Sequence, residues 1–298
     1  MKRIVLFGFC GVMAWAQANQ ETRPAPPPSH QFLKVQLHTP EEDSRILQLY
    51  DGLRVADVID GLDAVGLPEV TMMDKHIRPL WRDEVKISHR IHGIALTVRL
   101  VPAQDTWRRF TSHQDERRWE ANWKPPADMR TDTGRNPNFG RLIHPGTVLV
   151  VEGDAHDNGF CGSNDALAWV GLGLRGLVGN AVCRDTDELT LTHVPVYQDP
   201  MQAPRGINQG RMWMESYNEP VVVGGVLVMP GDIVVADNDG VAVVPRAKGE
   251  EVAKIARWIF ENDEIQRGKI YDRIGRPRDW TVQGHTPPPP PSDQPIQH

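Results

Sequence analysis

Cysteine is scarce in this chain: Cys10, Cys161 and Cys183 are the only three among 298 residues. That excludes the disulfide framework that holds many small secreted domains together. Positive charge is short too. Thirty-three Lys and Arg against 39 Asp and Glu leave a formal net charge of −6, which argues against a chain built around a phosphate-binding surface and so against a nucleic-acid partner. After the first fifteen residues no apolar run approaches the roughly 20 residues that span a bilayer. No G-x-S-x-G, Walker or dinucleotide fingerprint follows a strand in the context it requires. What is present is 40% hydrophobic and 24% charged residues, enough for a folded core in one large domain or two small ones.

The two ends read as something other than core. Residues 1–18, MKRIVLFGFCGVMAWAQA, combine a basic start at Lys2 and Arg3, a short apolar run and two small-x-small sites. This is the layout of a cleavable signal peptide, and it predicts a periplasmic or secreted protein with no membrane attachment once the leader is gone. Residues 19–40 are polar and proline-rich, a linker. The last stretch, 276–298, contains Pro287 to Pro291 in a row and is expected to be an extended, disordered tail. Cys161 and Cys183 could pair in an oxidising compartment or stay as two buried thiols, and the sequence leaves both open.

Between the ends, residues 41–275 form the folded domain. Ile46, Leu49, Leu53, Val55, Val58, Ile59, Leu62 and Val65 repeat at helical spacing and predict two helices broken near Asp51-Gly52. Residues 93–101 alternate as a strand. The stretch at about 103–142 carries three tryptophans, many arginines and a run of turn formers, with acids interleaved. It reads as a surface insertion and a candidate lid rather than a nucleic-acid face. A strand follows Pro145-Gly146, then a helix over 163–174 and a strand over 177–183. Residues 219–245 hold four short β runs separated by turn signals, which predicts an antiparallel meander, and an amphipathic helix over 247–266 closes the domain. Strands interrupted by helices, followed by hairpins, predict a layered α/β domain with a mixed sheet.

The chemistry concentrates between residues 161 and 189. A turn at Gly162-Ser163-Asn164-Asp165 opens a helix whose unpaired amides and positive dipole end suit a carboxylate or phosphate. Downstream, a strand ends in Arg184-Asp185, a bidentate anion fork beside a hard oxygen ligand. Together they could hold a small 2-oxo acid and a divalent cation, or they could be an ordinary helix cap and a surface ion pair. His89 and His92 lack a third ligand and read as an exposed pair. Asp237-Asn238-Asp239-Gly240 lacks calcium-loop spacing and reads as a hairpin turn. His156 and Asp157 either line the pocket or belong to a plain loop.

Three segments, VADVIDGLDAVGL near the start, the block from Gly162 to Asp185, and PVVVGGVLVMPGDIVVADNDGVAVVP, carry a resemblance. The chain from about 45 to 270 resembles the RraA-like family, which includes 4-hydroxy-4-methyl-2-oxoglutarate aldolases and regulators of ribonuclease activity, formerly called demethylmenaquinone methyltransferases. The resemblance implies a three-layer β/β/α sandwich of the swivelling-domain type with mixed sheets. It places the family's substrate-binding tetrapeptide on Gly162, Ser163, Asn164 and Asp165, its arginine on Arg184, its metal-binding aspartate on Asp185 with Mg²⁺ or Mn²⁺, and a catalytic acid of the early helix on Asp60.

The implied activity is that of a carbon–carbon lyase of the class II pyruvate aldolase type. It would act on a small 2-oxo acid through a pyruvate enolate, by retro-aldol cleavage or oxaloacetate decarboxylation, in a homotrimer or hexamer. At one place the chain departs from the family: aldolase members carry an acid second in the tetrapeptide, then two leucines, where this chain has Ser163, Asn164 and Asp165. Backbone binding survives that change, whereas proton transfer by an acid at 163 does not. Two alternatives follow, an exported binding protein for a 2-oxo or hydroxy acid without turnover, and a ribonuclease-regulator-like protein.

Overall fold

Thr39 opens the folded region by a reciprocal cap. Its hydroxyl accepts from the Glu42 amide at 3.2 Å and the Glu42 carboxylate accepts from the Thr39 amide at 2.8 Å, with Pro40 set at the first helical position, where its missing N–H costs nothing. The computed structural model describes residues 33–36, 38–68, 70–104, 110–122, 138–153, 159–181, 183–202 and 211–282. The chain divides into two units, Met1–Lys34 and Val35–His298. Of the first only Leu33 and Lys34 are described, so the leader expected over 1–18 and most of the linker lie outside the described residues. The second unit holds every element below. Among the described residues no helix is long and apolar enough to cross a membrane.

Helices α1 (Pro40–Leu49) and α2 (Val55–Ala64) break at Asp51-Gly52 as the periodicity predicts. They pack on α6 (Gly249–Ile274), which runs eight residues beyond the expected end. Gly61 makes the close approach of α2 possible: a Cβ there would meet the Val252 carbonyl oxygen at 3.0 Å. The start of α2 is capped from elsewhere in the fold, the buried Asp237 carboxylate accepting from the Val55 amide at 3.0 Å. Asp237 to Gly240 is indeed a hairpin turn, and Asp237 and Gly240 are paired across it.

The main sheet is mixed. Strands β1 (Arg78–Pro79), β2 (Ile91–Pro102), β3 (Thr147–Glu152), β4 (Leu174–Gly179), β5 (Val196–Gln198), β6 (Met212–Tyr217), β9 (Ile233–Asp237) and β10 (Gly240–Val244) are ordered β1-β5-β4-β3-β2-β9-β10, with β6 added on β2. β2, β3, β4 and β5 run parallel, joined through α4 (Ser163–Gly171) and α5 (Thr186–Leu191). β7 (Val221–Val223) and β8 (Val226–Val228) form a separate hairpin. One sheet face packs Ile94, Ile233, Val235, Ala242 and Val244 against α1, α2 and α6, while Leu149, Val151 and Leu177 pack against α4 and α5. On the opposite face Ala95, Val148, Val150, Val234 and Val243 meet the β7–β8 hairpin. Helices, sheet and hairpin make the three layers expected, α on one side and β on the other.

Four expectations are corrected. Residues 219–245 form two hairpins in different layers rather than one meander. The chain turns away at Gly231, whose φ of +92° suits glycine, and the buried Asp232 fixes the turn by accepting from the Met229 and Arg246 amides. The strand expected over 177–183 begins at Leu174 and ends at Gly179, because helix α4 stops earlier and Gly173, at φ +107°, reverses the chain at once. His89 is buried rather than exposed, its Nδ1 accepting from the Asp83 amide at 3.1 Å, and His92 is half-buried and faces Arg175. Within the insertion, α3 (His113–Asn122) is helical. Residues 276–282, assigned to the tail by composition, fold against α6: the Tyr271 hydroxyl donates to Asp279 at 2.6 Å, and Val282 is buried.

Candidate active site at the carboxyl ends of the parallel strands

In an open sheet with parallel strands, ligands bind outside the carboxyl ends of those strands, where loops and helix N-termini converge. The segments following β3 and β4 meet there. β3 leads to the cap of α4 at Gly162, and β4 leads through Asn180 to Arg184 and Asp185. Asn180 ties the two strand ends together, its Oδ1 accepting from the Gly153 amide at 2.9 Å. The Arg184 amide donates to the Cys161 carbonyl at 2.8 Å. Gly162 and Arg184, 22 positions apart in sequence, are therefore neighbours.

Asp185 is the pivot. It is the N-cap of α5 and holds a left-handed backbone, φ 57° and ψ 47°, which Asp tolerates better than most residues at a cost of about 1 kcal/mol. That conformation aims its carboxylate back at α4. Oδ2 accepts from the Ser163 amide at 3.1 Å and from the Ser163 hydroxyl at 3.4 Å, while Oδ1 lies 4.0 Å from Arg184 Nε. Gly162 is needed for this approach, since a Cβ there would stand 2.4 Å from Asp185 Oδ2. The Gly162 amide points to Asp165 Oδ2 at 3.5 Å. The first bond of the α4 ladder runs from the Ala166 amide to Gly162, so the amides of Asn164 and Asp165 stand outside that ladder. The side chains of Arg184 and Asp185 are each 38% exposed, open to a ligand from solvent.

This gathers Gly162, Ser163, Asn164, Asp165, Arg184 and Asp185 in one place. Asp60 stands elsewhere. It is exposed on α2 among Asp57, Asp63 and Asp263, and partial burial followed by those like charges raises its pKa. α2 packs over β9 and β10 and α4 over β4, with β3 and β2 lying between them in the sheet. His156 and Asp157 lie outside the described residues.

Two contributors escaped the sequence reading. Gln198, buried at the end of β5, accepts from the Cys183 amide through Oε1 at 2.7 Å and so anchors the turn that carries Arg184; its only signal was a polar residue closing an apolar run. Arg211 precedes β6 and its carbonyl accepts from the Ala103 amide at 2.8 Å. Burial and then the nearby Arg184 guanidinium lower its pKa, and Glu116 on α3 opposes them. The insertion thus reaches the neighbourhood of the site through α3.

The donor set fits a hydrated divalent cation. Asp185 supplies a hard, anionic, half-exposed oxygen pair, the ligand type that Mg²⁺ and Mn²⁺ take singly while keeping several waters. Among the described residues no three His, Cys, Asp or Glu side chains converge on one point.

Residues 55–243 match the family model described as RraA-like, Aldolase/RraA. Over 131 residues the chain is 27% identical to a Halalkalibacterium halodurans protein provisionally named 4-hydroxy-4-methyl-2-oxoglutarate aldolase, covering 44% of this chain and 61% of that one. It is 32% identical over 215 residues to Protein DlpA of Legionella pneumophila, covering 70% of this chain and 28% of that protein. The chain thus spans less than two thirds of the length of either relative. Among solved structures, Streptomyces coelicolor RraAS2, described as an unusual member of the RNase ES inhibitor RraA family, shares 22% identity at a TM-score of 0.56, covering 80% of this chain and 99% of that one. A Pseudomonas syringae protein shares 21% at 0.56, covering 78% and 94%. Both likenesses are likenesses of fold.

Proposed function

The chain belongs to the Aldolase/RraA family, and we propose that it is an exported, divalent-metal-dependent lyase that breaks a carbon–carbon bond of a small 2-oxo acid through a pyruvate enolate. The observation that carries this reading is the meeting of the α4 N-terminus with Arg184 and Asp185 at the strand ends. A 2-oxo acid offers a carboxylate and a ketone on adjacent carbons, and the site offers backbone amides, a guanidinium and a carboxylate facing one another.

Asp185 would hold Mg²⁺ or Mn²⁺, which when bound supplies Lewis-acid polarisation of the ketone and carboxylate oxygens. The rest falls to the chain. The amides at the start of α4 bind the substrate carboxylate, favoured by the positive end of the helix dipole. Arg184 stands where negative charge develops on the ketone oxygen as the C3–C4 bond breaks, and stabilisation of that kind is usually the largest catalytic contribution. Because Asp185 engages the Ser163 amide, the substrate carboxylate falls to the amides of Asn164 and Asp165, which stand outside the α4 ladder. Ser163 carries no proton for the reaction. Asp60, with its raised pKa, is the proton carrier in this proposal. Because α2 stands apart from α4, it acts from a neighbouring copy in a homotrimer or hexamer.

The test is an initial-rate assay of pyruvate release from 4-hydroxy-4-methyl-2-oxoglutarate and from oxaloacetate, with Mg²⁺ or Mn²⁺ and with chelator. Metal-dependent pyruvate supports the lyase. Thermal stabilisation by pyruvate without turnover supports instead a binding protein, a reading favoured by the serine at position 163. Neither response leaves the ribonuclease-regulator class.

A further inference from the structure

Cys161 immediately precedes Gly162, and Cys183 immediately precedes Arg184. Their side chains leave two separate backbone segments and converge beneath the site, with sulfurs 3.4 Å apart. Both are buried, at 3% and 2% exposure. The backbones on either side are pinned: the Arg184 amide donates to the Cys161 carbonyl at 2.8 Å, and the Cys183 amide to Gln198 Oε1 at 2.7 Å. A disulfide needs its sulfurs about 2.05 Å apart. Each Sγ therefore has to travel only about 0.7 Å from its present 3.4 Å contact.

We propose that Cys161 and Cys183 are a disulfide site, and that their oxidation staples the cap of α4 to the Arg184–Asp185 turn. Two S–H bonds break and one S–S bond forms. The two protons and two electrons go to an external disulfide, such as oxidised glutathione, which is reduced to two thiols. With both sulfurs shielded in the folded chain, the exchange takes place while the chain is open, as it folds in an oxidising medium. The bond closes a loop with a sequence separation of 22 residues. Gly162 already lies so close to Asp185 that a Cβ would be 2.4 Å from Oδ2, so the covalent link fixes the spacing on which amide and carboxylate depend. Whatever molecule the site binds, the disulfide stands independently.

The experiment is to unfold the full chain and refold it in a glutathione redox buffer or in dithiothreitol. Each sample is then alkylated under denaturing conditions, digested and mapped by mass spectrometry. The expected result is a linked peptide pair joining Cys161 to Cys183 in the oxidised sample, absent after dithiothreitol. Its Tm should be higher by roughly 5–10 °C, the scale for a loop of this length, and the difference should vanish in the Cys161→Ala/Cys183→Ala double variant. Folded oxidised protein with both cysteines alkylated, or linked only through Cys10, overturns the proposal. The peptide map is read on the unaltered chain, so it decides the matter even if the double variant folds poorly.

Discussion

Gly162→Ala isolates the geometry of the site from the stability of the fold. The backbone at 162 has φ −111° and ψ −176°, an extended conformation that alanine adopts without strain. The added methyl meets one obstacle, Asp185 Oδ2 at 2.4 Å, about 1 Å inside an ordinary van der Waals contact. The carboxylate must retreat by about that much, and its 3.1 Å bond from the Ser163 amide then exceeds hydrogen-bonding distance. Asp185 is 38% exposed, so solvent replaces most of what is lost; the cost is on the order of 0.5–1 kcal/mol, or a Tm lower by roughly 1–4 °C. Chemistry is far more sensitive, since a displacement of about 1 Å at a reacting centre costs on the order of a hundredfold in rate. The expected outcome is a folded variant by circular dichroism, with pyruvate release down about a hundredfold and a weaker response to added Mg²⁺. A variant that releases pyruvate at the unaltered rate with unaltered metal dependence would refute the placement of Asp185 at the α4 cap as a catalytic feature.

Arg184→Ala and Asp185→Ala should each lower turnover by about a hundredfold or more while leaving the near-ultraviolet spectrum intact, because both side chains face solvent; full turnover by either variant removes that residue from the mechanism. His92 provides a test of electrostatics away from the site. Burial, followed by Arg175, holds its pKa down at about 4. The unfolded chain therefore takes up a proton near pH 6.5 that the folded chain refuses until about pH 4, and folded stability is lost as the pH falls through that window. His92→Gln should gain stability relative to the natural chain as the pH drops from 6.5 to 4, reaching on the order of 2–3 kcal/mol. Urea unfolding at three pH values reads this directly, and equal slopes for both proteins would sink it.

Sequence legibility followed the range of the physics involved. Local periodicity located α1 and α2, because Ile46, Val58 and Leu62 bury one helical face whatever surrounds them, and it found β2 but not its ends, which lie at Ile91 and Pro102 rather than 93 and 101. The Gly162 turn and the Arg184-Asp185 pair were also legible, but as two separate features; their proximity depends on β3 and β4 being adjacent and parallel, which no local pattern encodes. Gln198 and Arg211 went unnoticed for the same reason, since each acts on a segment distant in sequence. The hairpins at 221–228 and 233–244 were read as one meander because turn residues mark where a chain bends and not which layer it enters. Asp232, which decides the layer, does so through amides at Met229 and Arg246.

Isothermal titration of pyruvate with Mg²⁺ into the natural chain and into Arg184→Ala tests the centre of the account. One pyruvate should bind per site in the natural chain, with binding abolished by chelator and weakened at least tenfold in Arg184→Ala, a loss of about 1.4 kcal/mol or more. Pyruvate that binds both proteins equally, or neither with metal present, would contradict it.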